Sequence, residues 1–277
     1  MTEFLKTVDD LAGRIADGIR LAVPPDYSGC AMAAVRALIR RGARDLDLLG
    51  VPQLGFQGDM LIGAGCVSSL ETAALTLGEY GAAPRFTAAI KSARIRMRDS
   101  TCPAIHAGLQ AAEKGIPFMP LRGILGSDVL AHRDDWKTID NPFGDDDSLV
   151  VLPAIRPDVS LFHAALADRA GNVWIGVRRE LMLMAHASRE THVTVDAISD
   201  DDLLADDRYA SGTIPALYIS AIAHIPRGAW PVGLKGHYDP DAHHLREYVA
   251  LAATEDGFRN YLHAHIHASE RGVDVSA

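Results

Sequence analysis

The stretch that decides the fold is residues 19–51, which reads IRLAVPPDYSGCAMAAVRALIRRGARDLDLLGV. Residues 19–23 predict a short strand, and the Pro- and Gly-containing loop after it leads into a predicted helix over residues 31–41. Gly42 ends that helix as a C-cap glycine does, and residues 46–51 predict a second, buried strand. Two strands joined through a helix are typical of a parallel sheet.

The same alternation of strands and helices continues along the chain. A polar turn at residues 168–172 separates two apolar runs, 161–167 and 173–177, and predicts a local β-hairpin. We therefore expect an α/β fold whose open, largely parallel but mixed sheet is covered by helices on both faces. The patterns predict further helices over residues 101–114 and 179–188, and further strands over residues 116–119, 149–152, 159–165 and 192–198.

The composition is that of an ordinary globular protein with a large core. The 277 residues are 48% hydrophobic and 23% charged. The formal net charge of -9 would repel nucleic acid and an anionic membrane, so neither is an expected partner. Cys30, Cys66 and Cys102 lie far apart and match neither a zinc spacing nor a disulfide scaffold, which favours a reducing cytoplasm.

The two ends of the chain both predict helices. Phe4, Leu5, Val8 and Leu11 follow helical spacing, so residues 1–18 predict a helix rather than a signal peptide. No apolar stretch approaches the roughly 20 residues that a membrane span needs. We expect one domain over residues 1–277, with residues 236–277 as a C-terminal helical extension.

Glycine-rich turns are the main candidate ligand sites, because the standard nucleotide, hydrolase and metalloprotease motifs are missing. Ser28 and Gly29 lie between a predicted strand and a helix N-terminus, where backbone N–H groups can hold an anion. The alternative there is a tight turn that only caps the helix. Gly63 and Gly65 would allow a ligand or a neighbouring backbone to approach closely, and packing alone is the alternative.

Two further turns carry charged side chains. Glu79 stands between glycines and before a proline, so a stiff turn holds a carboxylate that could attack a thioester. It could instead cap a backbone group or pair with Arg85. In the turn of residues 120–128, Arg122 offers a planar fork for a carboxylate or phosphate, with Gly123 and Ser127 beside it. Arg122 could equally bridge two structural elements.

The order of these turns resembles the A-type chain of class I CoA-transferases of the glutaconate type. The resemblance spans most of residues 5–235 and implies an open α/β fold shared with sugar-phosphate isomerases. It also implies a cytoplasmic enzyme of paired A-type and B-type subunits, such as A2B2, with coenzyme A as substrate and no tightly bound cofactor. The runs that carry it are DMLIGAG (59–65), APRF (83–86), PFMPLRG (117–123), GSD (126–128) and PAIRPDV (153–159), followed by His163, Ala167-Asp168 and Gly171-Asn172-Val173.

The chemistry that this resemblance implies is ping-pong transfer of CoA from an acyl-CoA to a carboxylic acid. A glutamate forms an acyl anhydride and then a glutamyl-CoA thioester. That glutamate normally belongs to the B-type subunit, in a Ser-Glu-Asn-Gly segment that this chain lacks. Glu79, in Gly78-Glu79-Tyr80-Gly81, is similar to the Glu-x-Gly turn of B-type subunits. The family's first loop is of the Gly-x-Gly-Gly-Phe type, whereas residues 23–29 here read VPPDYSG.

Two alternatives to transfer remain open from the sequence. A related branch hydrolyses CoA-linked ring ketones with a carboxylate on the A-type chain, and Asp99 lies near the expected position. Asp99 could instead cap the helix that follows it. The same fold also serves as a non-catalytic ligand-sensing module. Such regulators carry a helix-turn-helix arm, whereas here the fold begins within the first twenty residues.

The sequence predicts no metal site. The acidic runs at residues 145–147 and 200–202 are typical of solvated loops. In a helix His263 and His267 share a face that His265 does not, so a surface cluster is the expected arrangement. The other candidate ligands near the C-terminus are His237, Asp239, Asp241, His243 and His244.

Overall fold

A computed structural model describes residues 2–268. In chain order its strands are β1 (Glu3–Leu5), β2 (Arg20–Val23), β3 (Leu46–Gly50), β4 (Val67–Thr72), β5 (Arg96–Asp99), β6 (Phe118–Leu121), β7 (Lys137–Asp140), β8 (Ser148–Pro153), β9 (Val159–Asp168), β10 (Val173–Trp174), β11 (Glu190–Ser199), β12 (Thr213–Ile214) and β13 (Ala221–His224). Its α-helices are α1 (Val8–Arg14), α2 (Met32–Arg41), α3 (Phe56–Gly63), α4 (Pro84–Lys91), α5 (Cys102–Glu113), α6 (Asp128–Ala131), α7 (Arg179–Ala187), α8 (Ala242–Ala252) and α9 (Glu255–Leu262).

The main sheet is parallel apart from a small antiparallel corner, as the sequence predicted. Its strands follow the order β1-β13-β11-β9-β2-β3-β4-β5, and each neighbouring pair in that order is parallel. The predicted hairpin is confirmed, because β10 pairs antiparallel with the end of β9 and with β12. From β2 the chain runs outward to β5, and from β9 it runs outward in the opposite direction. The β2–β9 pair is therefore the topological switch point of the sheet.

Helices cover both faces of this sheet, which confirms the predicted layers. Consecutive strand residues point to opposite faces, so Leu48 enters one hydrophobic core and Leu49 the other. The helices α1, α2, α3, α4, α8 and α9 pack on the first face, whereas α5 and α7 pack on the second. Among the described residues, no helix has the length and apolar character of a membrane span.

A separate three-stranded antiparallel sheet lies outside the main one, in the order β6-β8-β7. The strands predicted at residues 116–119 and 149–152 exist, but they pair with each other here and not within the parallel sheet. The small sheet packs on α5 through a third core of Ala104, Ala107, Ile124, Trp136, Val150 and Leu152. Buried Arg133 joins it to the main sheet by donating to Glu71 of β4 at 2.9 Å.

The prediction of one helix over residues 1–18 is wrong. Glu3–Leu5 instead form an edge strand that pairs with β13, and the helix covers only Val8–Arg14. Thr7 starts that helix, because its hydroxyl accepts from the Asp10 N–H at 3.0 Å while the Asp10 carboxylate accepts from the Thr7 N–H. The edge of β13 is open to pairing with the first residues. This pairing outweighs their helical spacing, because tertiary contacts override a weak local propensity.

The C-terminal segment packs onto the first core. Tyr248 of α8, and Phe258 and Tyr261 of α9, are buried there. The chain continues from α9 into a π-helical turn, His263–His267. Residues 269–277 of the predicted C-terminal extension lie outside the described residues.

A buried carboxylate joins this segment to the sheet-covering helices. Asp59 of α3 accepts from the Phe86 N–H at the start of α4 and from the Tyr248 hydroxyl, each at 2.7 Å. Burial raises the pKa of Asp59 to about 6, although these hydrogen bonds act in the opposite direction. The carboxylate caps α4, so the conspicuous run of residues 59–65 has a structural role at its first residue.

We expect Asp59→Asn to remove a pH-dependent loss of stability. The folded pKa lies above the unfolded value of about 3.9, so the folded state binds more protons between these values. The wild-type free energy of unfolding therefore falls as pH rises through that window and stays reduced above it. Relative to the variant, it should fall by about 2 kcal/mol between about pH 4 and about pH 7.5, measured by urea unfolding. A difference that stays constant with pH would contradict this assignment.

Candidate functional site

A cavity of about 430 Å³ opens at the switch point, beside the carboxyl end of β2. The turn after β2 forms one wall with Ser28 and Gly29, and the middle of β9 forms the floor with His163. In open parallel sheets ligands bind where the strand order diverges, because the loops separate there and leave a crevice. The remaining walls are Tyr27, Ala164, Ala165, Trp174–Arg178, Leu181 and Leu234–His237.

The turn at Gly29 tolerates no side chain. Its φ is +82°, and an added Cβ would lie 2.1 Å from the carbonyl oxygen of His163. In return the His163 N–H donates to the Gly29 carbonyl at 2.7 Å. The turn is thereby held against β9 and leads directly into α2, whose N-terminus carries partial positive charge. Ser28 and Gly29, selected from the sequence as anion-binding residues, both line the cavity.

In this floor, the His163 side chain is fully buried in a polar network. Its Nε2 lies 3.1 Å from Asp196 Oδ1, and its Nδ1 lies 2.8 Å from the Thr194 hydroxyl. A carboxylate only accepts, so Nε2–H donates to Asp196 and Nδ1 accepts from Thr194 when the ring is neutral. The pKa of Asp196 is lowered: burial alone would raise it, but hydrogen bonds from His163 and from two backbone N–H groups outweigh burial. The ring therefore has a fixed orientation.

The same network fixes the loop that forms the opposite wall. A Cβ on Gly228 would lie 2.8 Å from the His163 ring, so that loop passes directly over the imidazole. The Tyr238 hydroxyl accepts from the Ala229 N–H at 3.1 Å and lies 3.4 Å from His163 Nε2. Burial raises the pKa of Tyr238, so the phenol stays protonated. Contacts with His163 of β9 thus hold residues 228–238 in place.

The rim of the cavity carries positive charge. The Arg178 guanidinium lies over the Tyr27 ring, 5.5 Å from its centroid, and Lys235 lines the opposite wall. His237 packs edge-on against Trp174 with 5.8 Å between ring centroids. Ser28 donates its hydroxyl hydrogen to Glu180 at the start of α7. A rim with one arginine and one lysine suits a carboxylate or a phosphate.

A second cavity, of about 450 Å³, adjoins the first and contains Glu79. Glu79 is exposed on the short 3-10 turn Gly78–Tyr80. At the base of this cavity Asp26 is partly buried and accepts from the Phe56 N–H at 3.1 Å. Burial raises the pKa of Asp26 to about 6. The structure therefore brings Glu79 and the Ser28–Gly29 turn to neighbouring cavities that share Tyr27, Leu234, Lys235 and Gly236.

Two other glycines selected from the sequence lie at the opposite edge of the sheet. Gly63 and Gly65 stand where α3 ends and the chain returns to the amino end of β4. A Cβ on Gly63 would lie 2.6 Å from Phe258 and 2.7 Å from Arg85, whereas Gly65 has φ +75° and open space around it. Close packing and a helix end account for them, and neither lines the two cavities.

The turn with Arg122, Gly123 and Ser127 belongs to the small sheet. Arg122 is exposed and forms an ion pair with Asp147, which is the bridging alternative that its sequence left open. The Ser127 hydroxyl donates to the Ile124 carbonyl at 2.8 Å. These residues line neither cavity.

Asp99 is the last residue of β5 and is exposed. The expectation that it caps the next helix is wrong, because Thr101 is the N-cap and accepts from the Ala104 N–H at 3.3 Å. The Asp99 carbonyl accepts from Arg133 at 2.9 Å. Asp99 lines neither of the two cavities.

Several cavity residues carried no signal strong enough to select them from the sequence. Arg178 follows a predicted hairpin, and Lys235 lies in the Gly-rich stretch of residues 233–238, GLKGHY. A stretch of this kind predicts an ordered loop. No spacing in the sequence reveals that this loop packs against β9. Asp196 is the single acidic residue of the strand predicted over residues 192–198, and its role becomes clear only from its position beside His163.

Comparison with proteins of known function shows clear similarity, although no family model matches the chain. The A-type chain of a glutaconate CoA-transferase from Acidaminococcus fermentans is 30% identical over 243 positions, covering 82% of this chain and 75% of the relative. The A-type chain of a 3-oxoadipate CoA-transferase from Pseudomonas knackmussii is 29% identical and covers 98% and 95%. One chain of a cholesterol ring-cleaving hydrolase from Mycobacterium tuberculosis is 27% identical and covers 95% and 93%.

Solved structures show the same similarity. The crystal structure of glutaconate coenzyme A-transferase from Acidaminococcus fermentans has a TM-score of 0.88 and 26% identity, covering 96% of this chain and 89% of its own. The decarboxylase AibA/AibB has a TM-score of 0.81 and 27% identity, covering 95% and 100%. These matches extend over nearly the whole described fold.

We expect Gly29→Ala to destabilise the protein far more than Gly65→Ala. Both positions have φ near +80°, so both substitutions incur about 1 kcal/mol of left-handed backbone strain. Only at Gly29 must the new methyl group also displace the His163 carbonyl, which should add about 2 kcal/mol or more. Urea unfolding of the two variants measures the difference. Equal losses of stability would show that the turn can move away from β9.

Proposed function

The chain belongs to the class I CoA-transferase family as an A-type subunit, and on this premise we propose that it transfers CoA between an acyl-CoA and a carboxylic acid together with a B-type partner. The observation that carries the proposal is the switch-point cavity, where a turn at a helix N-terminus faces a rim with Arg178 and Lys235. Anionic carboxylates and CoA phosphates are the ligands that such a rim attracts.

The covalent steps need one carboxylate nucleophile, which we assign to the partner. The carboxylate oxygen attacks the thioester carbonyl and the C–S bond breaks. CoA leaves as a thiolate, and a mixed anhydride between the acyl group and the glutamate remains. The thiolate then attacks the glutamyl carbonyl, which releases the first acid and forms the glutamyl-CoA thioester. The carboxylate of a second acid then attacks the glutamyl-CoA thioester, and the two steps run in the opposite order. The second acid leaves as its CoA thioester, and the glutamate is regenerated.

In this scheme the present chain binds and orients the substrates. Arg178 and Lys235 hold the anionic group of the acid, and the partial positive charge at the start of α2 stabilises negative charge near the Ser28–Gly29 turn. The His163 network keeps the two walls at a fixed separation.

Hydrolysis is the second candidate function, favoured by the similarity to the ring-cleaving hydrolase. Exposed Asp99 is the carboxylate that the resemblance implies for that reaction, and it lies outside both cavities. We favour transfer for this reason. We also propose an A2B2 assembly with the B-type partner. We propose a cytoplasmic location as well, because the three cysteines among the described residues are free.

Purifying the chain with the product of its neighbouring gene tests the reaction type. We expect CoA to move from a panel of acyl-CoAs only when an acceptor acid such as acetate is present, and Glu79→Gln to retain this transfer. Release of free CoA without acceptor would instead establish hydrolysis. Loss of turnover in the assembled Glu79→Gln enzyme would move the nucleophile onto this chain, and full activity of the chain alone would exclude the two-subunit scheme.

Arg178→Gln should weaken substrate binding. The side chain loses its charge but keeps much of its length, so we expect KM to rise about tenfold with a smaller change in kcat. Arg122→Gln is the matched control, because Arg122 is exposed and paired with Asp147 away from the cavities. Steady-state kinetics of the two-subunit enzyme provide both numbers. A larger effect at Arg122 would place the substrate beside the small sheet.

A further inference from the structure

We propose that His244, Glu247 and His265 form a binding site for a divalent transition-metal ion, with zinc as the best fit. One ligand atom from each of the three side chains lies within 4.8 Å of the other two. Two imidazoles and one carboxylate are a common ligand set for zinc, with a water molecule in the fourth position. The site is separate from both cavities described above, since none of the three residues lines them.

The fold assembles this set from two elements that sequence spacing does not connect. His244 and Glu247 are three residues apart on α8 and therefore share one face of that helix. His265 reaches them from the π-helical turn His263–His267 that follows α9. The extra residue in a π-helical turn shifts the side chains that follow, and such turns are frequent at functional sites. The sequence suggested His263 with His267, whereas the structure places His265 at the cluster.

The distances allow coordination with small side-chain movements. His265 Nε2 lies 3.5 Å from Glu247 Oε1. Two ligands bound to tetrahedral zinc at about 2.0 Å each lie about 3.3 Å apart, so this pair already has nearly the required separation. The widest separation, 4.8 Å, must close by about 1.5 Å, which a rotation of the half-exposed Glu247 and His265 side chains can provide.

The surroundings of His244 suit a metal ligand. It is buried, its ring packs 4.5 Å from the Trp230 centroid, and its Nε2 lies 2.9 Å from the Tyr261 hydroxyl. When Nδ1 binds the metal, Nε2–H donates to Tyr261, an outer contact of the kind that orients metal-bound imidazoles.

The charges nearby partly balance. Asp241 accepts from the His244 N–H and from the Trp230 indole, and adds one negative charge beside that of Glu247. Arg36 opposes a cation, but its guanidinium donates to the Trp230 carbonyl at 2.8 Å. Metal binding would thus tie the end of the described chain to α8 and to the Trp230–Asp241 segment, part of which lines both cavities.

Zinc titration of the full-length chain without a histidine tag tests the site. We expect isothermal titration calorimetry to give one Zn²⁺ per chain, and zinc to raise the thermal unfolding temperature in a manner that EDTA reverses. Glu247→Gln and His265→Ala should each weaken zinc binding about tenfold or more. Both side chains are partly exposed, so the folds of these variants in EDTA should match the wild type by circular dichroism.

His243→Ala and His267→Ala are the matched controls, because both histidines are exposed and lie on the same elements outside the cluster. They should bind zinc as the wild type does. Bound Co²⁺ should show the strong visible absorption of tetrahedral coordination and lose it in Glu247→Gln. Unchanged binding in Glu247→Gln and His265→Ala, or an equal loss in the controls, would overturn the proposal in favour of non-specific binding by surface histidines.

Discussion

The parallel pairing of β2 with β9 is the constraint on which the remaining structure depends. The two strands belong to distant parts of the sequence, and backbone and side-chain contacts join them. Asp158 accepts from the Arg20 N–H at 2.9 Å, and Gly29 accepts from His163 at 2.7 Å. Because the chain runs outward in opposite directions from this pair, the loops at its carboxyl end diverge and leave the crevice. The candidate site is therefore a direct product of the topology.

A buried carboxylate fixes the position of the small sheet relative to the main sheet. Glu71 is 2% exposed and accepts from both Arg20 and Arg133, so strands of the main sheet and the loop after α6 meet at one carboxylate. A buried charge without a partner is strongly destabilising, which makes the position of the small sheet depend on these contacts. Arg133 also donates to Asp135 through two nitrogens at 2.8 Å.

Positions in space are needed to tell which of the conspicuous sequence runs only pack the fold and which reach the candidate site. Asp59 and Gly63 belong to one run, and the first caps α4 while the second lets α3 pack against Phe258. Gly29 looks similar in sequence, yet it lies at the carboxyl edge of the parallel strands, where it lines the candidate cavity. All three residues obey the same rules of capping and close packing. They differ in position: the run of residues 59–65 leads to the amino end of a strand, whereas Gly29 follows the carboxyl end of one.

The sequence by itself determined the layers of this protein, the alternation of strands and helices, and the family to which it belongs. Hydrophobic periodicity and glycine turns are local properties, so residues 19–51 were enough to predict the parallel sheet. Only the tertiary structure decided that Glu3–Leu5 pair with β13, that β6 and β8 form their own sheet, and that Arg178 and Lys235 face one cavity. The physical reason is that strand pairing, burial and charge contacts join residues far apart in the chain, and a local pattern contains no information about which distant partner they meet.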